Sequence, residues 1–285
     1  MIADIVNGIA FGALLFVLAS GFSLALGVIR IVNIAHGAFY MLAVYIGISV
    51  QKSAGFIPAL LVAGLSVMVL AAAVQRLILS RFDLDPLPQV LSTFGLTIAI
   101  AEATRLIWGG YPETLPTPAN LTGSTTLGSI SITNYRLFLI AVAVVLAVLL
   151  WYLVDRTRIG AIVRAAVDDK EMARSMGINV EWLFVGVFAF SGLLAGLAGV
   201  LGGPILGTYQ GVQFEVLTLT LVVVVLGGMG SLAGAFVGSM AVGVLNSVGL
   251  ALLPQYSYFV LFAPMILILT IRPRGLLGRP VAGEL

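Results

Sequence analysis

Apolar residues run along this chain in long blocks separated by short polar or glycine-rich breaks, and the blocks recur from end to end. They occupy about 5–28, 35–50, 58–79, 89–108, 137–154, 182–201, 216–226, 232–253 and 256–271. Most are long enough to cross a bilayer as helix, which takes about 20 residues. The ten-residue alternating strands of a transmembrane barrel are absent. The pattern predicts an all-α, polytopic helical membrane protein with about 8–9 transmembrane helices. The start has no basic region and carries Asp4, and its apolar run is too long for a secretory leader, so it is expected to be the first span.

Two short blocks stand beside breaks in the apolar pattern. Residues 35–50 would give ~24 Å of helix at 1.5 Å per residue, against ~30 Å of hydrocarbon, and 216–226 would give less. Each adjoins a break: Asn33-Ile-Ala-His-Gly37 before the first, Gly227-Gly-Met-Gly-Ser231 after the second. Short, interrupted helices at corresponding places in two halves point to a substrate path in transporters, because irregular backbone at membrane depth must line a cavity or be buried in protein. A faint repeat supports two weakly related halves: His36-Gly-Ala-Phe39 aligns with Ala233-Gly-Ala-Phe236.

Charge adds orientation. Hydrophobic residues make up 60% and charged residues 9% of the 285 positions, where a soluble domain carries about 25% charged. Lys and Arg mark the cytoplasmic side, and they fall at Arg76 and Arg81, then Arg156, Arg158, Arg164, Lys170 and Arg174, then Arg272, Arg274 and Arg279. The loop 109–135 has no Lys or Arg and is expected outside. Counting from these anchors places Arg30 and the carboxyl terminus inside and the amino terminus outside.

The segment 155–181 is a polar island. Ten of the chain's charges, drawn from 14 Lys and Arg and 12 Asp and Glu, fall within it. Ile159, Ile162, Val163 and Ala166 follow helical spacing, with Arg158 and Arg164 directed elsewhere. Asp168-Asp-Lys-Glu171 has the form of a capping box, which predicts a second short helix from 169 to 176 ended by Gly177. Asn179 is expected to cap the next span. Two slim helices, with small residues such as Ala165, Ala166 and Ala173, suit insertion into a partner's groove; an amphipathic loop resting on lipid headgroups is the other reading.

Individual residues carry less. Asn33 and His36 read first as structural groups at a helix break, although an amide there can also hold a substrate. Glu102 and Arg105 are spaced i, i+3 in a span and can pair. A lone charge at the bilayer centre costs about 2.5–3.5 kcal/mol on insertion scales, so the pair is expected near the outer end with Arg105 reaching outward. Ser92, Thr93 and Thr97 offer a polar seam. Pro112, Pro116 and Pro118 exclude helix early in the 109–135 loop, and alternation of Ile130 and Ile132 predicts a short strand over 127–133. The absence of cysteine and the single histidine, His36, exclude thiolate chemistry and multi-histidine metal sites. No Gly-x-x-x-x-Gly-Lys-Ser/Thr loop is present to bind ATP.

Val32-Asn-Ile-Ala-His-Gly-Ala-Phe-Tyr-Met41 resembles the Asn-x-Ala-His-Gly segment of LivH-type permeases of branched-chain amino-acid ABC transporters. Arg156-Thr-Arg-Ile-Gly160, Arg164-Ala-Ala-Val-Asp168 and Met176-Gly-Ile-Asn179 are similar to that family's coupling loop. Leu226-Gly-Gly-Met-Gly-Ser231 and Arg272-Pro-Arg-Gly-Leu-Leu-Gly278 are similar to its later signatures. Ala38 departs from the family, where many relatives carry glutamate.

The resemblance implies a type II-like ABC importer permease in the bacterial inner membrane, one permease domain over 1–285, with a periplasmic loop at 109–135 and a cytoplasmic coupling loop at 155–181. It implies a substrate path along Asn33, His36, Gly37, Tyr40, Thr93, Gly228, Gly230 and Ser231. It implies coupling to ATPases through Ile159, Gly160, Arg164, Ala165, Asp168, Ala173, Gly177 and Ile178. Expected partners are a second, LivM-like permease, two LivG/LivF-like ATPases, a periplasmic binding protein and membrane lipid, with no nucleic acid, cofactor or metal. The chain itself would be no enzyme. Leucine, isoleucine and valine are the expected substrates; urea, short amides or aromatic acids on the same architecture remain open. An ion-coupled transporter would need ionisable residues within its spans, and only Glu102 qualifies.

Overall fold

The computed structural model describes residues 2–30, 32–82, 85–127, 130–252 and 254–278. Arg279, Leu253, Gly128 and Ser129, to which the sequence assigned roles in a basic cluster, a span end and a strand, lie outside the described residues. The helices are α1 (Ile2–Ile29), α2 (His36–Ala54), α3 (Phe56–Leu77), α4 (Pro86–Trp108), α5 (Asn134–Trp151), α6 (Arg158–Asp168), α7 (Lys170–Ser175), α8 (Val180–Leu206), α9 (Val212–Gly227), α10 (Leu232–Leu252) and α11 (Ser257–Ile271). Among the described residues, six segments are long and apolar enough to cross a membrane: α1, α3 with its continuation to Phe82, α4, α5 with its continuation to Arg156, α8 and α10.

The helices begin and end where local chemistry dictates. Asp85 caps α4 by accepting from the Leu87 N–H, with Pro86 at the first helical position, where its missing N–H costs nothing. Gly109 ends α4 at φ +88°. Asn179 accepts from the Trp182 N–H to open α8, as its side chain predicts. The short helix expected at 35–50 is longer than its apolar block. It runs 19 residues to Ala54, because Gln51, Lys52 and Ser53 continue the helix as a polar end and only Gly55 (φ +87°) stops it. By contrast α9, with 16 residues, and α11, with 15, do fall short of the bilayer.

The chain divides into two compact units that are not sequence halves. One comprises the described parts of Met1–Ser23, Thr117–Ala147 and Thr218–Leu285. In it α1 and α10 pack at very close range, with Gly8 and Gly12 against the backbone of Val244 and Ser239. Small residues permit such approach where no aqueous hydrophobic effect drives helices together. This unit also holds strands β1 (Ser124–Leu127) and β2 (Ile130–Thr133), paired antiparallel from Ser124 with Thr133 to Leu127 with Ile130. The strand expected at 127–133 thus falls on a short hairpin, with Ile130–Thr133 as its second strand, in an otherwise helical fold.

The second unit comprises the described parts of Leu24–Pro116 and Val148–Leu217. Its core is α2 and α3 laid along a glycine stripe on α8. A Cβ at Gly192 would meet Ala71 Cβ at 2.5 Å, one at Gly196 would meet Gly64 Cα at 2.9 Å, and one at Gly199 would meet Tyr40 O at 2.6 Å. Tyr45 stacks on Trp108, centroids 5.5 Å apart, and the Trp108 indole N–H donates to Ser49 Oγ at 2.7 Å, tying α4 to α2.

Candidate functional site: translocation path and coupling element

The break before α2 is built by Asn33. Its side-chain Oδ1 accepts from the Ala35 N–H at 3.1 Å, and its carbonyl accepts from the His36 N–H at 3.2 Å. The chain enters this turn through Arg30, which has φ +60°, the one positive φ outside glycine among the described residues. The Ile34 N–H between them donates to Thr93 Oγ1 of α4 at 3.3 Å. Asn33, His36, Tyr40 and Thr93 are all essentially fully buried. Four of the five path residues expected in the first half therefore gather with Gly37 in the interior of one unit.

Gly37 fixes a further relationship. An added Cβ would lie 1.9 Å from the carbonyl oxygen of Gln213, so the first turns of α2 and α9 touch backbone to backbone. The two interrupted helices picked out in the sequence thus meet at their amino ends, each of which carries a partial positive charge. Gln213 is itself buried, and its Oε1 accepts from the Gly211 N–H at 3.0 Å. Glu215 is exposed in this first turn of α9 and accepts a hydrogen bond from Tyr209 Oη.

On α4 the hydroxyls form a buried stripe rather than a wet seam. Thr93 donates to the carbonyls of Gln89 and Val90 at 3.1 and 3.0 Å, and Thr97 donates to Thr93 O at 2.8 Å. Thr104, overlooked in the sequence, donates to Ala101 O at 2.8 Å and continues the stripe. Ser92 lies off it, half-buried. Glu102 and Arg105 form the expected ion pair, with Nε 3.0 Å from both carboxylate oxygens.

The second glycine break belongs to the other unit. Gly228 (φ +108°) and Gly230 (φ +76°) turn the chain between α9 and α10, and Ser231 Oγ caps α10 by accepting from the Gly234 N–H at 3.0 Å. The carboxyl-terminal signature lies on this turn: the Leu276 and Leu277 N–H groups donate to Leu226 O and Gly227 O, each at 2.9 Å. A Cβ at Gly228 would sit 2.4 Å from Gly278 N. Two signatures separate in sequence are therefore one clasp.

The faint internal repeat has a physical counterpart in each unit. Gly234, like Gly37, stands in the first turn of its helix pressed on a carbonyl, here that of Gly227 at 2.2 Å from an added Cβ. Phe39 meets Phe188 edge to face at 6.4 Å, and Phe236 meets Phe16 edge to face at 5.2 Å. The Gly-Ala-Phe triplet plays the same packing role twice.

The polar island folds as two short helices, as its pattern predicts, but its cap moves by one residue. Asp169, not Asp168, accepts from the Met172 N–H at 2.9 Å and opens α7. Asp168 is the last residue of α6, since the helix continues until the extended backbone of Asp169. Gly177 at φ +83° ends α7, with the Ile178 N–H returning to Ala173 O at 3.1 Å. Thr157, unrecognised in the sequence, caps α6 by accepting from the Gly160 N–H at 3.2 Å.

Upstream, α5 ends in a π turn, Tyr152–Arg156, which frees carbonyls that α6 then uses. The Thr157 hydroxyl donates to Leu153 O at 2.5 Å, and an Arg164 guanidinium N–H donates to Val154 O. A Cβ at Gly160 would lie 2.0 Å from that same Val154 oxygen. Of the expected coupling residues, Gly160 and Ala173 are buried, Arg164 and Ile178 half-buried, and Ile159, Ala165, Asp168 and Gly177 exposed. The expected apolar face is split, with Ala166 at 0% exposure and Ile159 at 66%. Ile159, Ile162, Met172 and Met176 all stand in the open.

Comparison with known proteins now decides the family. The sequence profile described as "Branched-chain amino acid transport system / permease component" matches residues 4–269. The chain belongs to this family. It is 28% identical to the high-affinity branched-chain amino acid transport system permease protein BraD of Pseudomonas aeruginosa, over 97% of this chain and 95% of that protein. It is 29% identical to the corresponding LivH protein of Salmonella typhimurium, over 96% and 94%. Similarity extends to the ribose import permease protein RbsC of Haemophilus influenzae, 35% identical over 42% of this chain and 39% of that one. No solved structure matches the chain.

The chain is thus a multi-pass membrane permease of the branched-chain amino acid transport family. In this permease the break at Asn33 and the clasp at Gly228 are structural joints, each holding a helix start by backbone contact. Thr157, the π turn and the glycine stripe of α8 were missed in the sequence. The stripe had a legible signal in the four-residue spacings of Gly192 and Gly196 and of Gly199 and Gly203.

Proposed function

We propose that this permease is one half of the translocation path of a binding-protein-dependent importer of leucine, isoleucine and valine in the bacterial inner membrane. Similarity to BraD and LivH, permeases of branched-chain amino acid transport, supports the substrate class. The observation that carries the mechanism is the exposed apolar surface of α6 and α7, presented on a frame locked to the end of α5 through Gly160, Thr157 and Arg164. A water-facing element with Ile159, Met172 and Met176 uncovered suits docking on another protein.

In this reading 155–181 is the cytoplasmic coupling loop, and 109–135, with its hairpin, is the periplasmic loop that meets the binding protein; both belong to a single permease domain. Two LivG/LivF-like ATPases hydrolyse ATP, and a LivM-like permease pairs with this one. ATPase closure pushes on α6 and α7. The π turn passes that displacement into α5, because Arg164 and Gly160 leave α6 no slack against Val154. Coupling of this kind needs different contacts in two states, and the path residues around Asn33, His36, Gly37, Tyr40 and Thr93, with the turn at Gly228, Gly230 and Ser231, are where the buried joints would open. The two helix amino ends that meet at Gly37 and Gln213 suit passage of a carboxylate.

The test is uptake in a strain deleted for its own branched-chain importer and complemented with the complete gene set. Labelled leucine, isoleucine and valine should enter in a vanadate-sensitive manner that requires the binding protein. Uptake of urea, amides or aromatic acids in their place would reassign the substrate.

A further inference from the structure

The buried face of α4 carries Gln89, Thr93, Thr97, Ile100, Ala101 and Thr104. At 3.6 residues per turn, Glu102 falls on the side diametrically opposite, flanked by Phe94, Ile98 and Arg105. Glu102 and Arg105 side chains are each 52% exposed, and Phe94 and Ile98 are 42% and 53% exposed. Glu102 lies five residues from the middle of a 23-residue helix, or ~7.5 Å at 1.5 Å per residue, well inside a hydrocarbon layer of ~30 Å.

Other outward faces differ. The exposed side of α3 presents Leu61, Val62, Leu65 and Val69 and holds no charge before Arg76. The exposed side of α5 presents Val144, Val145, Val148 and Leu149. Those are surfaces for lipid chains. Ionisable groups within spans almost always face protein or a water-filled cavity. Water does not suit this face either, since exposed Ile98 and Leu106 flank the ion pair within one helical turn and Phe94 continues the apolar surface. Gly95 stands among them with nothing within 4 Å of an added Cβ, which leaves room for another helix to approach closely.

We infer that the outward face of α4, centred on Gly95, Ile98 and the Glu102–Arg105 pair, is where a second permease subunit of the same importer packs. The inference rests on the proposed function for the existence of that subunit and adds where it sits. Only another membrane-spanning chain can cover a face at this depth. A neighbouring helix would shield the ion pair from lipid while leaving its internal hydrogen bonds intact.

The natural chain has no cysteine, so single probes can be placed cleanly in the complete complex. Co-purification of the second permease comes first; its absence would sink the proposed function and this inference together. With the complex intact, a photo-reactive benzophenone residue at Ile98 should yield an adduct at the combined mass of the two permeases, and the same probe at Leu65 of α3 should yield none. Ile98→Cys should resist a membrane-impermeant thiol reagent. An Ile98 probe that captures only lipid, or an Ile98→Cys thiol labelled readily from the aqueous side, would overturn the inference while leaving the proposed function standing.

Discussion

Gly37 Cα lies so close to the Gln213 carbonyl oxygen that a methyl group there would stand 1.9 Å from it. This contact joins the first turns of two helices far apart in sequence, and no side chain mediates it. It sits beside the Asn33 turn, so the helix break and the helix contact are parts of one joint. Gly37→Ala must push α2 and α9 apart, and overpacking of this kind costs about 1–3 kcal/mol. The expected result is a lower melting temperature in detergent with normal membrane insertion. Gly186→Ala, inside α8 at a position where an added Cβ meets nothing within 4 Å, serves as the control and should melt no lower than the original, since alanine is the better helix former.

Coupling can be separated into transmission and docking. Gly160→Val places atoms into Val154 O and should tear α6 from the end of α5. The expected complex still hydrolyses ATP yet transports little. Ala165→Trp adds bulk on an exposed position without touching that frame, and should instead weaken co-purification of the ATPases. Normal assembly and uptake with Ala165→Trp would argue against docking at α6.

The two adjacent aspartates should separate cleanly. Asp169 caps α7 and Asp168 does not, so Asp169→Ala should cost about 1 kcal/mol of local helix stability, roughly fivefold in opening equilibrium. Hydrogen exchange over 170–175 should accelerate in Asp169→Ala and stay near the original rate in Asp168→Ala.

The clasp at the carboxyl-terminal signature is testable through one donor. Leu276→Pro removes the N–H that reaches Leu226 O and strands a buried acceptor, a loss of about 1–3 kcal/mol. Protease sensitivity after Ile271 should rise, while α9 and α10 still insert. Unchanged sensitivity would mean that the segment contributes nothing to holding the turn.

The sequence made the apolar spans legible because every span must supply its own backbone hydrogen bonds in lipid and therefore appears as a long greasy block. The caps at Asn179 and Gly177 were legible for a similar reason: each is a local device with a residue type of its own. What lay hidden depended on partners distant in sequence. Nothing in the apolar pattern pairs Gly37 with Gln213, or Gly228 with Gly278, because backbone contact leaves no side-chain trace beyond the glycine itself. The α2 boundary was misjudged because Gln51 and Lys52 look like loop residues and are in fact a polar helix end. Asp168 and Asp169 offer the same side chain, and only the extended backbone at Asp169 chooses between them. On α4 the seam was read in part, since Thr93 and Thr97 stood out among apolar neighbours while Thr104 lay between the two charged residues of the ion pair.

The most direct measurement places the purified chain in liposomes, alone and with its second permease, ATPases and binding protein, and follows labelled leucine. Accumulation against a gradient should appear only in the complete assembly with ATP, and should vanish when Gly160 carries a valine side chain. Uphill accumulation by the chain alone, with no nucleotide consumed, would contradict an element at 155–181 moved by a separate motor.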